Sequence, residues 1–268
     1  MRGVTLAALL LAATLPGLAQ SEDMAWAILE EAIERSRAQG PATDLRFTGT
    51  RQTVQNGETV DDTVYRFDPL APAGERFILV SEDGASPDPE RVADYAADRA
   101  NDEASPLEFA LSVNSSDSEE GQDPTDSLRF SGWEGDTARF LSDRPLTGKA
   151  SGIGDVSEIL DKVEVAWLVS RADDGKGILR SVRFRLTEPV KPNLASKIKK
   201  MDVQMDFALD PATGRLLPVR KQVDTVAKAL FQTFKLSQTE TFGDFRQVDQ
   251  AQGVQAQPAS AEHRPTGG

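Results

Sequence analysis

Met201-Asp202-Val203-Gln204-Met205-Asp206-Phe207-Ala208-Leu209 is the stretch that decides the fold of this chain. Its residues Met201, Val203, Met205, Phe207 and Leu209 recur at every second position, set against Asp202, Gln204 and Asp206. Side chains of an extended strand point alternately to opposite faces, so this spacing predicts a β-strand with one apolar and one polar face. Asp210-Pro211-Ala212-Thr213-Gly214 then turns the chain, and Leu217, Val219 and Val223 lie on the next strand.

The same pattern extends in both directions. Upstream, Val163, Val165, Trp167 and Val169 alternate with Glu164, Ala166, Leu168 and Ser170. After a turn at 173–177, Val182, Phe184 and Leu186 oppose Arg183, Arg185 and Thr187. Downstream, Leu230, Phe234 and Leu236 belong to a last strand running toward Phe242 and Phe245. Long alternating strands joined by turns predict an antiparallel meander. A hairpin at Glu134-Gly135-Asp136 precedes it, flanked by strands over 128–133 and 137–141. A three-strand meander occupies 43–81, with Asn56-Gly57 as a strong hairpin turn. In its third strand the continuous Phe77-Ile78-Leu79-Val80 suggests burial on both faces.

Helices are few. Ser21 is a suitable N-cap, with Glu22 and Asp23 in the first turn, where the helix dipole favours negative charge. Ala25, Ile28, Leu29, Ala32 and Ile33 then recur at helical spacing, until Gly40-Pro41 ends the helix. Asp88 and Pro89 open a second helix toward residue 100, and 157–162 is a short helical candidate. The fold class is therefore mainly β with helices. It is a single wide antiparallel sheet, strongly curved because a sheet of this width curls or closes to protect its edges, with the N-terminal helix and the short helices as its cover.

Residues 1–19 read as a signal peptide: Arg2, an apolar run from Val4 to Leu15, and Gly17-Leu18-Ala19 before a cleavage site after Ala19. That leaves a domain over 20–248 and a disordered Gln-, Ala- and Pro-rich tail over 249–268. No later stretch reaches the length of an integral membrane span. The stretch 100–126 holds eight acidic residues and no basic one, and reads as a solvated loop.

Composition removes several chemistries. With no cysteine there is no disulfide or zinc-thiolate site, and the one histidine, His263, lies in the tail. A formal net charge of −13 argues against nucleic acid as a partner. No cofactor, metal or catalytic group is expected, and no enzyme. What remains is apolar binding. The candidate contacts on the concave face are Phe67, Phe77, Trp133, Trp167, Phe184, Met201, Met205, Phe207 and Phe234. Met201 and Met205 are flexible and polarizable, which suits variable acyl chains. Periodicity leaves open whether this face is a cavity or a packed core.

Two segments resemble a known family. Met205-Asp206-Phe207-Ala208-Leu209-Asp210-Pro211-Ala212-Thr213-Gly214-Arg215-Leu216-Leu217-Pro218 is similar to a hairpin of the outer-membrane lipoprotein carrier superfamily. So is the ending Phe234-Lys235-Leu236-Ser237-Gln238-Thr239-Glu240-Thr241-Phe242-Gly243-Asp244-Phe245-Arg246. The order of elements over 22–248 also resembles that of the superfamily, which includes the periplasmic lipoprotein carrier, its outer-membrane receptor and a periplasmic stress-sensor regulator. The resemblance implies a periplasmic protein whose antiparallel sheet is an unclosed β-barrel, with short lid helices over an apolar cavity. Its ligand would be a lipid or acyl chain, and its partner a lipoprotein or envelope protein. The alternative is a structural or adaptor protein, or an envelope-stress sensor, with a filled core that acts through protein–protein contacts. No site residue is carried over from the family, and the absence of cysteine departs from a lipidated receptor.

Overall fold

The computed structural model describes residues 21–39, 44–72, 74–99, 127–142, 149–150, 154–155, 162–193, 196–230 and 232–248. The expected signal peptide, the acidic stretch before residue 127, most of the 157–162 candidate and the expected tail beyond Val248 lie outside these residues.

Helix α1 (Glu22–Gln39) starts where Ser21 Oγ accepts the Met24 N–H, and it buries Ala25, Ile28, Leu29 and Ala32. Three strands follow: β1 (Leu45–Gln55), β2 (Glu58–Phe67) and β3 (Phe77–Glu82). Asn56 and Gly57 both take positive φ, as a two-residue hairpin turn demands. Helix α2 (Pro89–Asp98) is capped by Asp88, which accepts the Arg91 N–H at 2.8 Å. Next come β4 (Leu128–Glu134) and β5 (Thr137–Ser142), then the short pair β6 (Lys149–Ala150) and β7 (Gly154–Asp155). The chain ends with β8 (Val163–Arg171), β9 (Gly177–Leu186), β10 (Val190–Asn193), β11 (Ser196–Leu209), β12 (Leu216–Ala229) and β13 (Gln232–Gln247).

Eleven of these strands make one antiparallel sheet. Its order is β3-β2-β1-β13-β12-β11-β9-β8-β5-β4, with β10 beside β11. The chain therefore runs outward to one edge at β3 and re-enters at the opposite edge, β4. It then steps back until its last strand pairs with its first. The sheet is not closed: β3 and β4 are its free edges. The wide, open, mainly β architecture expected from the alternation is the one the chain adopts.

Two cores lie on one face. Under α1 are Phe140, Val165, Trp167, Val169, Ile178, Val182, Met205 and Phe207. The Trp26 ring meets Phe140 edge-on at 4.8 Å. Beside α2, which contributes Tyr95, are Phe47, Tyr65, Phe67, Phe77, Leu79, Phe242 and Phe245. Phe47 touches four of these rings and is 1% exposed.

Three local expectations change. Phe77 and Leu79 are buried, but Ile78 and Val80 stay about two-fifths exposed, at 39% and 41%. β3 is an edge strand with α2 on one face only, so its apolar run is not covered twice. In β8 the opposite happens. Ala166 and Leu168, on the side away from α1, are buried with Leu141 in a third small cluster. Leu230 belongs to no strand. It sits in the β12–β13 turn with φ 53°.

Candidate functional site

Strand register brings chemistry-bearing residues from distant parts of the chain into one row. Val182 of β9 lies opposite Met205, Met205 opposite Lys221, Lys221 opposite Glu240, Glu240 opposite Arg51, and Arg51 opposite Thr63. Neighbours across a sheet share a face. A polar seam thus crosses the face that carries both cores. Glu240 is only 5% exposed and Thr63 is fully buried.

The seam is fastened by Tyr65. Its hydroxyl donates to Glu240 Oε1 at 2.7 Å, although β2 and β13 are separated by β1. Gly49 of β1, opposite Tyr65, makes this reach possible. A Cβ on Gly49 would sit 2.2 Å from Tyr65 Cζ, so the ring lies where a side chain would stand. Beside it, Arg51 Nε donates to Asp61 at 2.9 Å. At the rim, Arg91 forms a bidentate pair with Glu82, whose carboxyl is held below its ordinary pKa by that hydrogen bond. Among the described residues, the buried Thr63 Oγ1 and Tyr95 Oη have no hydrogen-bond partner.

Tyr65, Phe77 and Tyr95 form three walls around a guanidinium. Arg99, the C-cap of α2, places its Cζ 5.5 Å, 5.2 Å and 5.1 Å from these ring centroids. Burial pushes the Tyr65 pKa far above its ordinary value, the Glu240 charge and hydrogen bond add to this, and Arg99 opposes it. Burial also raises Tyr95.

A raised tyrosine pKa stabilises the fold below the unfolded-state pKa, and that stability is lost as pH climbs above it. The protein should therefore lose stability above about pH 10, where an unfolded tyrosine ionises. Tyr65→Phe should flatten this alkaline limb. At neutral pH it should cost about 1–3 kcal/mol, because buried Glu240 loses its hydroxyl donor. Thermal unfolding from pH 7 to 11 checks both. An unchanged alkaline limb in Tyr65→Phe would contradict them.

The nine candidate contacts separate into three groups. Phe67 and Phe77 belong to the core beside α2. Trp167, Met205 and Phe207 are buried in the core under α1, with Phe184 and Trp133 half-buried against it. Met201 and Phe234 belong to neither core. They lie on a strip where β11, β12 and β13 run on past the seam. One row is Val203, Val223, Gln238 and the next is Met201, Thr225, Leu236, with Ala227 and Phe234 beyond. Met201, Val203, Val223 and Phe234 are half-buried, and Leu236 is 36% exposed. Among the described contacts, α1 packs chiefly on β8 and β9, and α2 on β3. Where α1 touches β12, at Leu216, it is at the other end of that strand.

Sequence reading missed the seam, yet one signal was present. Glu240 shares its parity along β13 with Leu236 and Phe242, which marks an acid on the inner face. Tyr65 shares parity with Phe67 in the same way. Among the described residues, no group of three or more metal-ligating side chains gathers, and no helix is long and apolar enough to cross a membrane. A scan against protein-family models finds no match, and neither do searches of curated proteins and of solved structures.

Proposed function

We propose that this chain is a non-enzymatic, exported periplasmic protein that binds the apolar chain of a lipid or lipoprotein, as a distant relative of the lipoprotein carrier superfamily. The observation that carries the reading is the strip of Met201, Val203, Val223, Phe234 and Leu236. It continues the core face of the sheet, its apolar residues are interrupted by Thr225 and Gln238, and it is half-buried except at Leu236, which is 36% exposed. From Gln238 to Phe234 it runs four residues along β13, about 13 Å at strand rise, a length suited to part of an extended acyl chain. Binding would bury this surface at about 25 cal/mol for each Å² removed from water. Each of the three strands is paired on both sides through much of the strip, so most of its backbone hydrogen-bonding groups are engaged there.

A fluorescent fatty-acid probe tests this. Met201→Arg and Leu236→Arg should each weaken probe binding at least tenfold while leaving thermal unfolding within about 1 kcal/mol of the parent, since both sites reach solvent. Met205→Arg, by contrast, places an unpaired charge in the filled core and should unfold the protein. A parent protein that binds no probe, and carries no lipid when isolated, would sink the proposal. The dense packing under both helices would then favour the second reading, an adaptor or envelope-stress sensor that acts through protein contacts.

A further inference from the structure

We propose that the end of the sheet formed by β10, the start of β11 and the β12–β13 turn is a docking surface for an anionic phospholipid membrane. The exposed turn residue Leu230 enters the bilayer, and a cluster of lysines meets the head groups. The docking stands on these strand ends and does not need the strip to hold a lipid.

Charge sets this end apart. The chain carries a formal net charge of −13, yet residues 189–200 and 226–235 hold six lysines and no acid. Register places Lys197 directly opposite Lys228. Lys200 and Lys235 flank Val226 on the neighbouring row, and all four lysines lie on the face of the sheet away from α1 and α2. Lys191 and Lys199 are exposed at the same end. Like charges directly opposite one another weaken a sheet, and an anion laid over the Lys197–Lys228 pair would remove that repulsion. Elsewhere cations are matched, as Arg35 is with Asp174, Arg139 with Glu164 and Lys162 with Glu188. Among the described residues, none of the six lysines has an ion-pair partner. The acids nearest in register are Asp202 and Asp224, one row further along the strands, and Glu58, beyond β1.

The turn adds an apolar tip. Ala229 pairs with Gln232, so two residues, Leu230 and Phe231 in sequence, connect β12 to β13. Two-residue hairpin turns take positive φ and favour asparagine and glycine, as at Asn56-Gly57. Leu230 takes φ 53° there and is 71% exposed. A bulky apolar side chain is thus held in water on a left-handed backbone that glycine would adopt with less strain. Lysines alone would fit any polyanion. Lysines beside an exposed leucine fit a bilayer, which offers hydrocarbon beneath anionic head groups, and lysine stems can lie along apolar surface while their ammonium groups stay among the phosphates. The same membrane repels the acidic remainder of the protein, so this end is the one that faces it. Ala227 and Phe234 form the last apolar row of the strip before the turn, so docking brings the end of the strip to the membrane surface.

The test follows co-sedimentation of the expected mature chain, residues 20–268, with vesicles of phosphatidylcholine alone or with about one-third phosphatidylglycerol. The mixed vesicles should bind at least tenfold more tightly, and about 0.5 M sodium chloride should remove that preference by screening. A lysine near an anionic surface contributes about fivefold, so Lys197→Glu with Lys228→Glu should weaken binding at least tenfold. Lys200→Glu with Lys235→Glu gives the same reading should the first pair fail to fold. Leu230→Gly relieves the backbone, so it should leave the melting temperature within about 3 °C of the parent while weakening vesicle binding at least fivefold. Equal binding to both kinds of vesicle, or to neither, overturns the docking surface. Loss through the lysine variants with no effect of Leu230→Gly also overturns it, and points to a soluble acidic partner instead. A protein that binds mixed vesicles but no fatty-acid probe keeps the docking surface and loses the strip. One that binds the probe but no vesicle does the reverse.

Discussion

Gly177→Ala is expected to lower the melting temperature by roughly 6–20 °C, the result of about 3–5 kcal/mol at 2–4 °C per kcal/mol for a domain of this size. The reason is a backbone contact. A Cβ on Gly177 would lie 2.1 Å from the Ile28 carbonyl oxygen of α1 and 3.0 Å from the Ala32 nitrogen. Neither atom can rotate away as a side chain would. The helix must therefore lift off the start of β9. Lifting it also breaks the Gly177 N–H bond to Glu31, at 2.7 Å, and strains the pairs Arg171–Glu31 and Arg35–Asp174. Those surface pairs matter little by themselves. The larger loss is packing of Ala25, Ile28, Leu29 and Ala32 onto the core. Differential scanning calorimetry measures the effect. A drop of less than about 2 °C would show that α1 does not rest on Gly177.

Gly49→Ala is expected to cost about 3 kcal/mol or more, from overpacking together with a broken buried hydrogen bond. The Cβ would stand 2.2 Å from Tyr65 Cζ and 2.5 Å from its hydroxyl oxygen. Tyr65 is fully buried, in ring contact with Phe47, Phe77 and Tyr95, so it has no free direction in which to move. Any displacement takes its hydroxyl off Glu240 and leaves that carboxylate buried with one donor fewer. A double-mutant cycle isolates the cause. In a Tyr65→Ala background the same Gly49→Ala change should cost less than about 1 kcal/mol, because the ring it strikes is gone. Equal costs in the two backgrounds would show that β1, rather than the Tyr65 crossing, is the sensitive element. Loss of the crossing should also disturb the packing of Tyr65 against Phe77 and Tyr95.

Much of the fold is legible along the chain because strand and helix periodicities are local. Alternation through Val163–Ser170 and Met201–Leu209 predicts strands, and those strands form. Ser21 and the pair Asp88-Pro89 predict helix starts, and both helices begin there. Asn56-Gly57 predicts the first hairpin, because few residues other than glycine and asparagine accept positive φ. Alternation also tells that one face of the sheet is largely apolar.

The amino-acid sequence by itself determined a wide antiparallel sheet with few helices, without thiol chemistry and with a strongly negative charge. Only the tertiary structure decided how the apolar face is used. Which residues become filled core depends on where α1 and α2 land, and those landings rest on Gly177 and on β3 as an edge, neither visible in periodicity. Met205 is buried and Met201 is half-open, although the two have the same spacing and chemistry, because the long strands outrun the cores. The seam and the aromatic box arise from register between residues as distant as Tyr65 and Glu240. Pairing across a sheet couples positions by space rather than by period, so a one-dimensional pattern can assign each residue a face but cannot say what stands beside it.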